Sequence, residues 1–115
     1  GNDVTARDLQ FSDLQWARSK GFDTFCPLGP WIETELDPEA LALESRVNGQ
    51  SRQKSTRNDM ITNVFDIVSY VSQNVTLFPG DVILTGSPAG ISRIEAGDQV
   101  ECEISGIGVL HNPVA

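Results

Sequence analysis

The chain has 115 residues and a formal net charge of −8, from 16 acidic and 8 basic side chains. An apolar fraction of 39% with 21% charged residues is ordinary for a globular domain and excludes a fibrous or disordered chain. The basic residues are scattered, which argues against a nucleic-acid partner, because nucleic-acid-binding proteins cluster their lysines and arginines. An anionic metabolite is not excluded, since a bound cation and a few local cations can reverse the field inside a cleft.

The start of the chain and its cysteines bear on where the protein works. No run approaches about 18 consecutive apolar residues, and residues 1–3 lack the basic and apolar regions of a signal peptide. The sequence therefore predicts a cytoplasmic protein without a membrane partner. Cys26 and Cys102 are then predicted to be reduced thiols. Because the chain lacks an initiator Met and opens directly on a dense motif, we expect an upstream segment that is not represented in it.

The first third of the chain predicts short, irregular elements. Residues 1–5 are compatible with the end of a strand, and the mixed polar and apolar residues 9–16 favour a short helix before Lys20. Two prolines and two glycines interrupt residues 21–30, which predicts a loop beside Lys20. Trp31–Glu35 is then interpreted as a strand.

The strongest local pattern is that of a β-hairpin. Apolar or small residues alternate with larger polar ones from Leu41 to Asn48, the period expected of a strand with one buried face. Asn48 and Gly49 readily adopt the positive φ angles that a type I′ hairpin turn requires. Two antiparallel strands are therefore predicted on either side of this turn.

The middle of the chain predicts the one substantial helix. Thr56 followed by Asp59 resembles a capping box with Asp in place of Glu. Apolar residues then recur at helical spacing, namely Ile61, Val64, Phe65, Val68 and Val71. A helix from about Asn58 to Gln73 is expected.

The last third predicts strands separated by glycine-containing turns. After Pro79-Gly80, residues 81–85 are interpreted as a buried strand, 86–90 as a tight loop, 100–104 as an alternating strand and 106–110 as a kinked strand. Strands dominate and do not alternate regularly with helices. The sequence therefore predicts a β-rich α+β fold rather than a doubly wound sheet.

Polar residues close to the start of the chain are the first candidates for chemistry. Asp3, Arg7, Asp8 and Gln10 lie within one short segment. Carboxylate oxygens suit Mg²⁺, Mn²⁺ or Ca²⁺, and a planar guanidinium suits a substrate carboxylate. The alternative is a solvated turn with a surface ion pair, which is common. Spacing by itself does not decide between these two interpretations.

Lys20 and residues 85–90 are the next candidates. An ammonium held near a metal ion can stabilise an enolate or a developing oxyanion, although a lone lysine is more often just exposed. The loop at 85–90 could offer backbone N–H groups and the Ser87 hydroxyl to a substrate carboxylate, or be a plain turn after a strand. It lacks the Gly-Lys-Ser/Thr ending of a nucleotide phosphate loop. His111, the single histidine, is more typical of a surface or packing residue than of a catalytic base.

Taken together, the motifs of this chain resemble those of the fumarylacetoacetate hydrolase family. In chain order they are Gly1–Asp8, Lys20–Pro27, Val47–Gly49 with Arg52-Gln53, Thr56 with Asp59–Ile61, Pro79–Gly90, Gly97-Asp98 and Gly106–Gly108. Several ordered motifs over nearly the whole chain are more specific than any one of them. The resemblance implies that residues 1–115 are the carboxy-terminal portion of a catalytic domain, a mixed β-roll that commonly forms homodimers or higher homo-oligomers.

The resemblance also implies roles for individual residues. Asp3 matches the last carboxylate ligand of a Mg²⁺ or Mn²⁺ ion, with Ca²⁺ as a further candidate, and the usual upstream Glu-x-Glu ligands are not in this chain. Arg7 and Gln10 match positions lining the substrate site, and Lys20 matches the catalytic lysine. Ser87 stands where Thr is usual and keeps the hydroxyl that contacts substrate. An upstream lid with a His and Glu pair, found in the hydrolytic members, has no counterpart here.

The implied activity is metal-assisted chemistry on a small keto acid. A metal that chelates the substrate carboxylate and the adjacent keto oxygen makes an enolate accessible, and Lys20 and Arg7 would stabilise its charge. Hydrolysis of an acylpyruvate or fumarylacetoacetate-type substrate, decarboxylation of oxaloacetate and isomerisation of an unsaturated dioate all stay open. One alternative is a catalytically silent, truncated domain that retains folding and oligomerisation. Another is a non-enzymatic β-rich binding module.

Overall fold

A computed structural model describes all residues of the chain, from Gly1 to Ala115. The helices are α1 (Arg7–Ser12), α2 (Ala17–Lys20) and α3 (Val64–Asn74), with 3₁₀ turns at Pro38–Ala40 and Arg57–Asp59. The strands are β1 (Ala42–Val47), β2 (Gln50–Thr56), β3 (Gln99–Ile104) and β4 (Gly108–Pro113). This confirms the predicted β-rich α+β class with one main helix.

The four strands form one sheet in the order β2-β1-β3-β4, and every neighbouring pair is antiparallel. Val47 of β1 lies opposite Val100 of β3, and Cys102 of β3 lies opposite Leu110 of β4. Val47, Val100 and Leu110 are the buried apolar side chains of the chain. The core is therefore small and lies on one face of the sheet.

The β1–β2 hairpin forms where the turn residues predict it. Asn48 has a φ of +52° and Gly49 a φ of +74°, the two positive values that a type I′ turn needs. The predicted alternating strand at 100–104 is also confirmed, since β3 covers Gln99–Ile104 and pairs with both β1 and β4. The two cysteines are free thiols, as predicted.

The opposite face of the sheet carries a cross-strand ion cluster around Arg46. Its guanidinium donates to Glu101 at 2.8 Å, to Glu103 at 2.8 Å and to Glu44 at 3.3 Å. The hydrogen bonds to Glu101 and Glu103 raise the pKa of Arg46 further above its ordinary value. One cation therefore ties together carboxylates from β1 and β3.

The main helix begins later than the sequence predicted. The Thr56–Asp59 capping box is present, but it closes only the 3₁₀ turn Arg57–Asp59. A second cap at Asn63, whose side chain accepts the N–H of Asp66 at 2.9 Å, starts α3 at Val64. The predicted start near Asn58 is wrong because each polar cap favours its own first turn, and the chain is extended at the residue after the 3₁₀ turn.

Three predicted strands are wrong, at residues 1–5, 31–35 and 81–85, which pair with no other strand. An apolar run suits a strand, but a ladder also needs a neighbour whose N–H and C=O groups face it. No segment of this chain occupies that place beside them. Residues 105–107 form a turn, so the kinked strand expected at 106–110 begins only at Gly108, as β4.

The helical stretch expected at 9–16 is divided. α1 ends at Ser12 and α2 begins at Ala17, with bends and a turn between them. The carboxylate of Asp13 and the guanidinium of Arg18 join the two helices, with contacts of 2.6 and 2.8 Å. None of the helices has the length and hydropathy that crossing a membrane would require.

Candidate functional site

A cleft of about 720 Å³ lies between the amino-terminal segment, the inward face of the sheet and the segment after residue 86. Its lining includes Asp3, Arg7, Asp8 and Ser87, four of the residues considered as candidates from the sequence. The tertiary structure therefore brings the amino-terminal motif and the loop at 85–90 to one cavity, although Asp3 and Ser87 lie far apart along the chain.

Lys20 reaches this cleft through Asp3. The Lys20 ammonium donates to the Asp3 carboxylate, and it lies 3.3 Å from the Thr5 hydroxyl. Backbone contacts explain the approach, because the Ala6 N–H donates to the Ser19 carbonyl at 2.8 Å. Ser19 itself is completely buried, which fixes the end of α2 against the amino-terminal segment.

Arg7 and Gln10 form a second pair at the start of α1. The Arg7 guanidinium donates to the side-chain oxygen of Gln10, one helical turn further along. Arg7 lines the cleft, and the hydrogen bond to Gln10 holds the Arg7 guanidinium in its orientation. A guanidinium oriented in this way can present its remaining N–H groups to an anion in the cleft.

Ser87 stands on a loop that follows an extended, unpaired segment. Next to it, the Pro88 carbonyl accepts a hydrogen bond from the Gln53 amide at 2.8 Å. The Ser45 hydroxyl donates to the other end of that amide at 2.9 Å. Sequence reasoning did not assign Ser45 or Gln53 to the site. One feature of the sequence could have indicated them: Ser45 is a polar residue at a position of an alternating strand that faces inward.

One part of the cleft wall is apolar. Val4, Val47, Ile91, Ile94 and Val100 line it, so a carbon skeleton would contact hydrocarbon. Two arginines outside the sequence-based assignment, Arg52 and Arg93, also contribute to the lining. The composition of the cleft suits a small ligand that has anionic ends and an apolar middle.

Cys102 and His111 are poor candidates for chemistry. Cys102 lines the cleft, but burial raises the pKa of its thiol, which keeps the thiol protonated and a weak nucleophile. His111 is exposed on β4 and does not line the cleft. Neither residue supplies a base or a nucleophile to the site.

The residues of this chain make an incomplete metal site. Asp3 can offer carboxylate oxygen, but no group of three His, Cys, Asp or Glu side chains is arranged to hold an ion. Mg²⁺ and Mn²⁺ favour about six oxygen ligands, so the remaining positions need water, substrate or other protein residues. In addition, the Asp3 carboxylate already accepts a hydrogen bond from the Lys20 ammonium. Residues 1–115 by themselves therefore do not fit a closed metal site.

Comparison with known proteins identifies the family of this chain. Residues 1–115 match the family model described as fumarylacetoacetate (FAA) hydrolase C-terminal. The chain is 44% identical to the mitochondrial oxaloacetate tautomerase Fahd2a of Rattus norvegicus, over 98% of this chain and 40% of that protein.

Crystal structures agree closely as well. That of 5-carboxymethyl-2-hydroxymuconate delta-isomerase from Mycobacterium smegmatis has a TM-score of 0.98 at 54% identity, covering 100% of this chain and 46% of that one. That of 2-hydroxyhepta-2,4-diene-1,7-dioate isomerase from Mycobacterium marinum has a TM-score of 0.97 at 56% identity, with the same coverage of 100% and 46%. The chain thus spans less than half the length of these relatives. It belongs to the fumarylacetoacetate hydrolase family.

Proposed function

We propose that the protein containing this chain converts a small keto acid with a second carboxylate by stabilising its enolate form. The observation that carries the proposal is the shared cleft, in which the Asp3–Lys20 pair, the Arg7 guanidinium and the Ser87 hydroxyl surround an apolar wall. Relatives named as an oxaloacetate tautomerase and as isomerases of unsaturated compounds with two or three carboxylates support the same substrate class.

The roles that we propose follow from the charge of each group. Arg7, oriented by Gln10, binds a substrate carboxylate through its free N–H groups. The Lys20 ammonium stabilises negative charge on the enolate oxygen, because a fixed cation in a partly dry cleft acts where the charge develops. The Ser87 hydroxyl donates to a substrate carboxylate. The apolar wall contacts the carbon chain and keeps water from it.

We further propose that Asp3 gives one oxygen ligand to a Mg²⁺ or Mn²⁺ ion whose other ligands lie outside residues 1–115. Such an ion would polarise the keto oxygen of the substrate. The enol–keto interconversion needs the fewest additional groups, so we propose it ahead of carbon–carbon hydrolysis and decarboxylation. Both of those reactions form an enolate as a carbon–carbon bond of the keto acid breaks, and they need proton donors or a water activator that this cleft does not contain.

For residues 1–115 alone we propose catalytic silence. The observation behind this second proposal is the incomplete ligand set around Asp3. The chain would then retain the fold and association but not the chemistry. That the whole protein is cytoplasmic and forms a homodimer or a higher homo-oligomer stays a prediction, which light scattering on the purified protein and cell fractionation would test.

Calorimetric titration separates these proposals. Mg²⁺ and Mn²⁺, with oxalate as an enolate mimic, are titrated into residues 1–115 and into the full-length protein, and both are assayed for the enol–keto conversion of oxaloacetate. We expect tight binding and turnover only in the full-length protein. Metal binding by neither sample would contradict the metal proposal, and full activity of residues 1–115 would contradict catalytic silence.

A further inference from the structure

We infer that Gln53 is a positioning residue that holds the Ser87 loop, residues 86–90, in the cleft. Its amide nitrogen donates to the Pro88 carbonyl at 2.8 Å, one residue beyond Ser87. Both Gln53 and Ser87 line the same cavity. The inferred effect on turnover rests on the proposed function, whereas the inferred hold on the loop rests on geometry alone.

The hydrogen bond from Gln53 has no substitute in the chain. Residues 82–94 make no backbone hydrogen bond to any other segment, and Gln53 to Pro88 is the one side-chain hydrogen bond that joins them to the rest of the molecule. A segment of this length without a strand partner is expected to move unless something ties it down. Gln53 therefore supplies the polar contact that sets where Ser87 stands.

Ser45 fixes which end of the Gln53 amide faces the loop. Its hydroxyl donates to the amide oxygen at 2.9 Å, which leaves the NH₂ group to point at Pro88. Ser45 is 7% exposed and lies directly opposite Gln53 in the β1–β2 ladder. The contact thus begins on β1, one of the two inner strands of the sheet, where a side chain is held more precisely than on a loop.

Close backbone packing at Gly90, at the far end of the loop, also holds the loop against the sheet. Gly90 has a φ of +99°, and a Cβ atom there would lie 2.0 Å from the carbonyl oxygen of Arg52. Only glycine allows the loop to lie this close to the edge of β2. The loop is therefore held at Pro88 by a hydrogen bond and at Gly90 by backbone contact, with Ser87 beside both.

The first test measures the loop without any substrate. Gln53→Glu in the full-length protein keeps the acceptor for Ser45 but removes the donor to Pro88. We expect limited proteolysis within residues 82–94 to become about tenfold faster, because the loss of one hydrogen bond lets the segment leave the sheet more often. Gln50→Glu is the matched control, because Gln50 is exposed on the same strand. An unchanged rate of cleavage in Gln53→Glu would overturn the inference.

The second test asks whether Gln53 acts through Ser87. We expect Gln53→Glu and Ser87→Ala each to lower kcat/KM for oxaloacetate enol–keto conversion by about tenfold. The double variant should be no worse than Ser87→Ala, because coupled residues do not add. Additive losses would overturn the positioning role. If the wild-type protein turns over no substrate, the proposed function fails, and the proteolysis test still decides whether Gln53 holds the loop.

Discussion

The ammonium of Lys20 is hydrogen-bonded to the carboxylate of Asp3, 17 residues earlier in the chain. Both side chains are about one-third exposed, at 29% and 30%, and therefore stand at the edge of the cleft rather than deep in the fold. The pairing places a cation beside the carboxylate that we propose as a metal ligand. A metal ion at Asp3 would have to share that carboxylate with Lys20, so the two residues are expected to respond together to ligands.

Replacing Asp3 by Asn tests the proposed metal ligand. The amide keeps the shape of the side chain but lacks the negative charge that a hard divalent cation requires. We expect Mg²⁺ affinity in the presence of oxalate to fall by more than about tenfold, the usual cost of losing even an outer-shell partner. Calorimetry on the full-length protein measures it. Asp23→Asn, at an exposed position of the next loop, is the control, and equal affinities in the two variants would sink the assignment.

Replacing Lys20 by Met tests the proposed stabilisation of enolate charge. The methyl-thioether chain retains the packing but not the cation, so we expect kcat to fall by about 100-fold or more with oxaloacetate. Lys20→Arg should not restore it, because a planar fork does not replace a compact ammonium. Lys54→Met, at an exposed position on β2, removes the same charge elsewhere. An unchanged kcat in Lys20→Met would show that the ammonium has no such role.

The Arg46 cluster should matter for stability rather than for activity. Arg46→Met leaves Glu44, Glu101 and Glu103 close together without their shared cation. We expect a clearly lower melting temperature at pH 7, and a smaller loss at acid pH, where the carboxylates are protonated. Arg93→Met is the control, since its ion pair is 85% exposed on the arginine side and contributes little. Equal melting temperatures for the two variants would contradict this prediction.

Asp59 should make stability depend on pH. The backbone N–H of Thr56 and then the Ser55 hydroxyl hold the pKa of this carboxyl below its ordinary value. A lowered pKa in the folded state stabilises the protein above the ordinary value of about 3.9 and ceases to do so as the pH falls through the lowered one. Asp59→Asn should therefore reduce the melting temperature at pH 7, and by less and less as the pH falls through the lowered pKa of the wild-type carboxyl. If the melting temperatures of the wild type and Asp59→Asn differed by the same amount at every pH, the Asp59 charge would not be the cause.

Local chemistry made part of the fold predictable. Asn48 and Gly49 favour one turn type through their own backbone preferences, and the strands on either side follow from alternation. The capping pair Thr56 and Asp59 was also recognisable, although it closes a shorter turn than expected. The strand predicted at 81–85 failed because its apolar pattern says nothing about whether a partner strand lies alongside.

The sequence by itself determined the family and the fold class, because motif order and turn chemistry are local properties. Only the tertiary structure decided that Lys20 meets Asp3 and that Gln53 links Ser45 to the Ser87 loop. Those contacts join segments far apart along the chain. Their formation depends on how the sheet, the short helices and the loops pack together, which no pattern within a single segment specifies.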